Sequence, residues 1–121
     1  MIKLDLFEGP MDVFGMALYN SINEKIEQNP KYREFVNNLE ETIVVELDYY
    51  PLMIKFEKER FEVSRELEKP TIKIKVSVQN YVNIIDRKSS IIGLFLKGKL
   101  KIKKGFTKIF KVYKLFSEMA K

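Results

Sequence analysis

The chain of 121 residues is 45% hydrophobic and 32% charged and carries a formal net charge of +5. This composition is typical of a globular protein and predicts one domain, residues 1–121, built around one core. Because cysteine and histidine are absent, disulfides, thiol nucleophiles, imidazole bases and the usual zinc sites are excluded, and no metal or cofactor is predicted.

The first segment and the hydropathy of the chain predict a cytoplasmic protein. The opening residues, MIKLDLF, lack the long apolar core and the small-residue cleavage site of a signal peptide. No uninterrupted apolar run approaches the roughly 18 residues that a transmembrane helix needs.

Two amphipathic helices are predicted first. Apolar residues at near-helical spacing predict a helix over residues 10–28, with Pro10 in its first turn. Asn29 is the predicted N-cap of a second helix, and Pro30 is its first residue. The second helix has one apolar face, formed by Tyr32, Phe35, Val36 and Leu39. Two helices that simply cover a sheet are the favoured interpretation.

Strands and shorter helical segments follow. Alternating and β-branched residues predict five strands, at residues 42–48, 52–57, 60–65, 71–78 and 99–103. Between the fourth and fifth strands lie two short apolar segments, residues 79–86 with helical spacing and residues 91–96. A last helix is predicted over residues 106–119. Tight turns between strands, with helices grouped around them, predict an α+β domain on an antiparallel sheet.

The last helix has an unusually wide apolar surface. At about 100° per residue, its apolar side chains cover an arc of about 220°, whereas a helix that lies on a core usually shows a narrower stripe. It therefore needs a second apolar neighbour. Three candidates stay open: the other helices, a partner subunit, and a ligand held between helix and sheet.

Basic residues are concentrated in the same part of the chain. Residues 97–121 contain nine lysines and one acid, Glu118. The lysines at 99, 101 and 103 lack the interleaved aromatic residues, arginines and glycine-rich loops of nucleic-acid or nucleotide sites, so no specific nucleic acid is predicted. We interpret this lysine ladder as a solvated sheet face that also attracts anionic membranes.

Nothing in the sequence predicts catalysis. Glu46, Asp48 and Asp86 supply carboxylates, but no nucleophile is placed beside a base. Solvated surface carboxylates are the commoner explanation for such residues. No catalytic residue is predicted, and the chain is not expected to be an enzyme.

Several segments resemble the sterol carrier protein 2 (SCP-2) family. VSVQNYVN at residues 76–83, GLFL at 93–96 and KGKLKIKK at 97–104 are similar to its strand, helix and G-K-L-K-I-K-G strand. NPKYREF at 29–35, before TIVV at 42–45, is similar to the N-x-x-Y-R helix of small prokaryotic members. The resemblance implies a five-stranded antiparallel sheet in the order 3-2-1-4-5, with helices over one face.

The resemblance also implies a hydrophobic tunnel for fatty acyl chains, acyl-CoA, phospholipids or sterols. Carried over by position, its lining would come from helical segments, the last strand and the last helix. The candidate lining residues are Tyr81, Val82, Ile85, Ile91, Leu94, Phe95, Leu100, Ile102, Phe106, Ile109, Phe110 and Tyr113. The candidate residues for an anionic headgroup or an anionic membrane are Lys97, Lys99 and Lys104.

Two positions depart from the family pattern. Lys104 stands where the pattern ends in glycine, with Gly105 one residue later, and the turn at residues 58–60 lacks the usual glycine. The sequence as a whole predicts a non-catalytic intracellular lipid-binding or lipid-transfer protein. The alternative is an accessory or regulatory subunit that packs its last helix against a partner enzyme or other protein.

Overall fold

The computed structural model describes residues 3–4, 11–48, 51–65 and 68–119. Five α-helices occur in these ranges. Their bounds are α1 Met11–Gln28, α2 Pro30–Asn37, α3 Val78–Ile85, α4 Ile91–Leu96 and α5 Ile109–Met119. A 3-10 turn, Phe106–Lys108, leads into α5. None of the helices in this part of the chain is long and apolar enough to cross a membrane.

The helix starts follow from local side-chain chemistry. The Asn29 carboxamide oxygen accepts hydrogen bonds from the backbone N–H groups of Lys31 and Tyr32, at 2.9 and 3.1 Å. This confirms the predicted N-cap of α2. The hydroxyl groups of Ser77 and Ser90 cap α3 and α4 in the same way. These caps satisfy N–H groups that the first helical turn leaves without partners.

Within the described ranges, six strands form one sheet. Their bounds are β1 Lys3–Leu4, β2 Thr42–Glu46, β3 Pro51–Glu57, β4 Arg60–Arg65, β5 Ile72–Val76 and β6 Leu100–Lys104. The order across the sheet is β1-β4-β3-β2-β5-β6. The five predicted strands are β2 to β6, so the expected order 3-2-1-4-5 is confirmed. The short edge strand β1 is not among the predicted strands.

The strand directions differ in two places from a fully antiparallel sheet. β2 pairs in parallel with β5, and β1 pairs in parallel with β4. In the first of these pairs, the start of β5 lies beside the start of β2. The N–H and hydroxyl of Thr71 both donate to the backbone carbonyl of Thr42, at 2.8 and 3.2 Å. These bonds stand at the beginning of the parallel ladder between the two strands.

The core lies between one sheet face and the helices. Alternation along the strands sends apolar side chains such as Ile43, Val45, Ile72 and Ile74 into it. The opposite sheet face carries ion pairs, including the Glu46 carboxylate with the ammonium groups of Lys73 and Lys103. Lys101 and Lys103 are exposed there, as expected for the lysine ladder.

Gly105 ends β6 at a point where the backbone passes very close to its neighbour. It has φ = 78°, and a Cβ atom at this position would lie 2.6 Å from the backbone oxygen of Thr71. The positive φ favours glycine, and the close approach leaves no room for any other residue. Gly98, before β6, also has a positive φ of 73°, but a Cβ atom there would meet no atom within 4 Å.

Candidate functional site

A cavity of about 330 Å³ lies between α5 and the connection from α3 to α4. We call it the helical cavity. Its volume is at the lower end of the range typical of small-molecule sites. Its lining residues are Ile84, Arg87, Lys88, Ser89, Ser90, Ile91, Tyr113, Phe116 and Ser117.

The floor of the helical cavity is apolar. Ile84, Ile91 and Phe116 are almost completely buried and belong to the protein core. The ring of Phe116 also packs edge-on against the ring of Tyr81, with a centroid distance of 6.5 Å. The cavity therefore gives a ligand direct access to core side chains, which is what binding of an apolar group requires.

The rim of the cavity is polar and cationic. It is formed by residues 87–90, where Arg87 turns the chain with a positive φ of 65°. The N–H groups of Lys88 and Ser89 both donate to the backbone carbonyl of Asn83, at 2.7 and 3.1 Å, and fix this turn after α3. Arg87 and Lys88 are exposed. An apolar floor beneath two cations and two serine hydroxyls suits an amphipathic molecule with an anionic end.

Two sets of polar contacts hold α5, which forms one wall of the cavity. The Tyr32 hydroxyl donates to the backbone carbonyl of Leu115, and the buried Glu41 carboxylate contacts the ammonium groups of Lys108 and Lys111. Burial acts to raise the pKa of Glu41, but hydrogen bonds from Lys111, Thr71 and Lys108 outweigh it and lower the pKa. The position of this wall is therefore fixed by α2 and by the start of β2.

The two buried tyrosines have raised pKa values. Burial, and secondly the negative charge of Glu118, raise the pKa of the Tyr32 phenol. Burial alone raises the pKa of Tyr81. Tyr81 lies between the rings of Phe14 and Phe116. Neither phenol is therefore suited to proton transfer near neutral pH.

The predicted lining residues have four kinds of position. Ile91 and Tyr113 line the helical cavity. Four others are buried in the core and do not line it: Tyr81, Leu94, Leu100 and Ile109. Four are partly buried: Val82, Ile85, Phe95 and Ile102. The remaining two, Phe106 and Phe110, are exposed.

The predicted headgroup lysines lie outside the cavity lining. Lys97, Lys99 and Lys104 are exposed, and Lys97 is the C-cap of α4. Seven lining residues were not among the sequence candidates. They are Ile84, Arg87, Lys88, Ser89, Ser90, Phe116 and Ser117. Their one sequence signal is the polar run RKSS at residues 87–90, between two apolar segments.

A second depression, of about 430 Å³, lies between α2 and α5 and is less suited to a lipid. Its lining is mixed, with charged residues of both signs, including Lys31, Glu34 and Lys111. The Lys114 ammonium already covers the apolar ring of Phe35 there, 4.9 Å from its centroid. We therefore regard the helical cavity as the candidate ligand site.

Comparisons with known proteins agree with the overall fold. The sequence profile of the SCP-2 sterol transfer family matches residues 20–117. No curated protein matches the sequence significantly. Among solved structures, the UbiJ-SCP2 ubiquinone synthesis protein is similar with a TM-score of 0.72 and 14% identity, over 88% of this chain and 96% of that one.

Two sterol carrier structures also share the fold. The sterol carrier protein domain 2 of Helicoverpa armigera has a TM-score of 0.66 and 17% identity, over 85% of this chain and 87% of its own. Sterol carrier protein 2 from Yarrowia lipolytica has a TM-score of 0.63 and 16% identity, over 84% and 88%. These structures agree in fold, and the profile covers most of the sequence: the chain belongs to the SCP-2 sterol transfer family.

Proposed function

We propose that this chain is a non-catalytic, cytoplasmic lipid-binding and lipid-transfer protein whose ligand enters the helical cavity. The observation that carries the proposal is the combination of an apolar floor and a cationic rim in one cavity of an SCP-2 family member. The family supports the general role in lipid binding or transfer. The cavity suggests the class of ligand.

The chemistry of the cavity favours a lipid with one apolar chain and an anionic end, such as a fatty acid or an acyl-CoA. Ile84, Ile91 and Phe116 would contact the chain, and each buried methylene contributes about 0.8 kcal/mol. Arg87 and Lys88 would contact the carboxylate or phosphate, with Lys97, Lys99 and Lys104 as more distant cations. A volume of about 330 Å³ favours a single chain over a bulkier lipid.

Four of the predicted lining residues are buried in the core and do not line the cavity as it stands. Tyr81, Leu94, Leu100 and Ile109 would contact a long chain only if the cavity deepens when the ligand binds. The accessory-subunit alternative would instead place a partner protein on the exposed phenylalanines of the last helix. The cavity favours the ligand-binding role because a purely structural subunit has no need of it.

A cavity-filling substitution tests the proposal. Ser117 lines the cavity from α5, so Ser117→Phe would place a ring in the space of the ligand. Asn20→Phe adds the same ring to an exposed position of α1 outside the cavity and serves as the matched control. Binding of a fluorescent fatty acid is measured by titration, and the melting temperature of each variant is measured alongside.

We expect Ser117→Phe to weaken fatty-acid binding at least tenfold and Asn20→Phe to leave it unchanged. Native mass spectrometry of the freshly purified protein, followed by solvent extraction, identifies any lipid that co-purifies. A wild-type protein that takes up neither a fatty acid nor an acyl-CoA would contradict the proposal. Unchanged binding by a well-folded Ser117→Phe variant would contradict the assignment of the cavity.

A further inference from the structure

Four large apolar side chains between residues 96 and 113 remain exposed, and one of them, Tyr113, also lines the helical cavity. Leu96 is 78% exposed, Phe110 70%, Phe106 61% and Tyr113 38%. We call this set the apolar ridge. Phe106, Phe110 and Tyr113 are spaced by four and three residues, so they follow one side of the last helix. Such a group is unusual, because exposed apolar residues normally occur singly.

The apolar ridge is separate from the buried face of α5. Ile109, Val112, Leu115 and Phe116 form the stripe that packs into the core, and each is at most 5% exposed. The wide apolar arc of this helix therefore consists of two stripes, one buried and one exposed. The buried stripe packs against the core. The exposed stripe is available to contact another molecule.

The end of α4 joins the ridge to the rest of the fold. The ring of Phe95 contacts the ring of Phe106, with a centroid distance of 6.0 Å, and Leu96 is the next residue. Tyr113 belongs both to the ridge and to the lining of the helical cavity. A surface placed against the ridge is therefore also placed beside the cavity.

The chain segment that carries the ridge is strongly basic, although the buried Glu41 carboxylate pairs with Lys108 and Lys111 in it. Residues 87–117 contain nine lysines and one arginine and no acidic residue. Lys97 follows Leu96 directly, and Arg87 and Lys88 stand on the cavity rim beside Tyr113. Exposed aromatic and aliphatic side chains bordered by lysines are typical of protein faces that lie in the headgroup region of an anionic membrane.

We propose that the apolar ridge docks on an anionic membrane and brings the helical cavity to the bilayer surface. Phe106, Phe110 and Leu96 would insert among the acyl chains, while Arg87, Lys88 and Lys97 contact the lipid phosphates. An acidic protein could match the same charges. The preference for a membrane rests on the proposed lipid-binding function, because a bilayer at this position supplies or receives the ligand of the cavity.

Vesicle flotation tests the docking. The full chain is mixed with vesicles of phosphatidylcholine alone or of phosphatidylcholine with phosphatidylglycerol, at low and at high salt. We expect flotation with the anionic vesicles only, and its loss at high salt because salt screens exposed charges. The variant Leu96→Ser combined with Phe110→Ser should lower the partition coefficient at least about tenfold, since it removes two inserted side chains.

Two charge variants separate the ridge from the rest of the basic surface. Lys88→Gln with Lys97→Gln removes two cations beside the ridge. Lys101→Gln with Lys103→Gln removes two cations from the opposite face of the sheet, so both variants have the same net charge. We expect the first to weaken flotation clearly more than the second. Equal effects would contradict the proposed orientation.

Further outcomes distinguish a membrane from a second copy of the protein as the partner of the ridge. Unchanged flotation of the Leu96 and Phe110 double variant would overturn the proposal, as would a wild-type protein that binds neither kind of vesicle. So would self-association of the wild type that this variant abolishes, measured by light scattering, because the ridge would then be a protein interface. Fatty-acid binding in solution is measured on the same samples. If it is absent while flotation persists, the cavity proposal fails and the docking stands.

Discussion

The hydroxyl of Tyr32 donates a hydrogen bond to the backbone carbonyl of Leu115, 3.1 Å away and buried between α2 and α5. This bond joins residues 83 positions apart and ties the second helix of the chain to the last. Tyr81 is buried to the same extent. Within the part of the chain that the structure describes, its hydroxyl has no hydrogen-bond acceptor.

The two buried tyrosines should therefore respond oppositely to loss of the hydroxyl. Tyr32→Phe removes a buried hydrogen bond to the Leu115 carbonyl and should lower the free energy of unfolding by about 1 kcal/mol. Tyr81→Phe removes a hydroxyl that gains nothing from burial, so stability should stay the same or rise by about 1 kcal/mol. Urea denaturation measures both. Equal destabilisation of the two variants would refute this account.

The same tyrosines predict a loss of stability in alkali. Both have raised pKa values in the fold, whereas a tyrosine in the unfolded chain ionises near pH 10. The unfolded state therefore loses protons first, and stability that is present below about pH 10 is lost as the pH rises above it. Denaturation curves between pH 8 and about 11.5 measure the effect. The double variant Tyr32→Phe, Tyr81→Phe should show a shallower decline than the wild type.

The lowered pKa of Glu41 predicts that the protein loses stability in acid. Its pKa is lowered in the fold, so its contribution to stability is present above the ordinary value of about 4.3 and is lost as the pH falls through the lowered value. Glu41→Gln should remove this part of the pH dependence and cost about 1–2 kcal/mol at neutral pH. The neighbouring, exposed Glu40→Gln is the control. If both variants retain the wild-type acid profile, the contacts with Lys108 and Lys111 contribute little.

The two positive-φ glycines form another matched pair. Gly98→Ala introduces only backbone strain and should cost about 1 kcal/mol. Gly105→Ala introduces similar strain and places a methyl group 2.6 Å from the Thr71 oxygen, which belongs to the neighbouring backbone and has little freedom to move. We expect a loss of at least about 3 kcal/mol, or failure to fold. Thermal melting of the two variants gives the comparison, and similar melting temperatures would show that the close approach relaxes at small cost.

Local chemistry was sufficient for most elements of the fold. The Asn29 cap and the alternation of Ile and Lys in β5 each depend on neighbours a few residues away. Such signals are complete within a short window, so the helices and five of the strands were predicted close to their observed positions. The resemblance of residues 76–104 to the SCP-2 family supplied the strand order, which short windows do not contain.

The sequence by itself determined that the last helix has more apolar surface than a core contact requires. Only the tertiary structure decided which of its side chains are buried and which are exposed. Phe110 and Phe116 are equivalent in hydropathy, yet one is 70% exposed and the other 3%. Likewise, only the tertiary structure decided that β2 pairs in parallel with β5 and that a cavity lies above Ile84 and Ile91. A side chain's chemistry specifies what environment it prefers, whereas its actual neighbours depend on how distant segments pack.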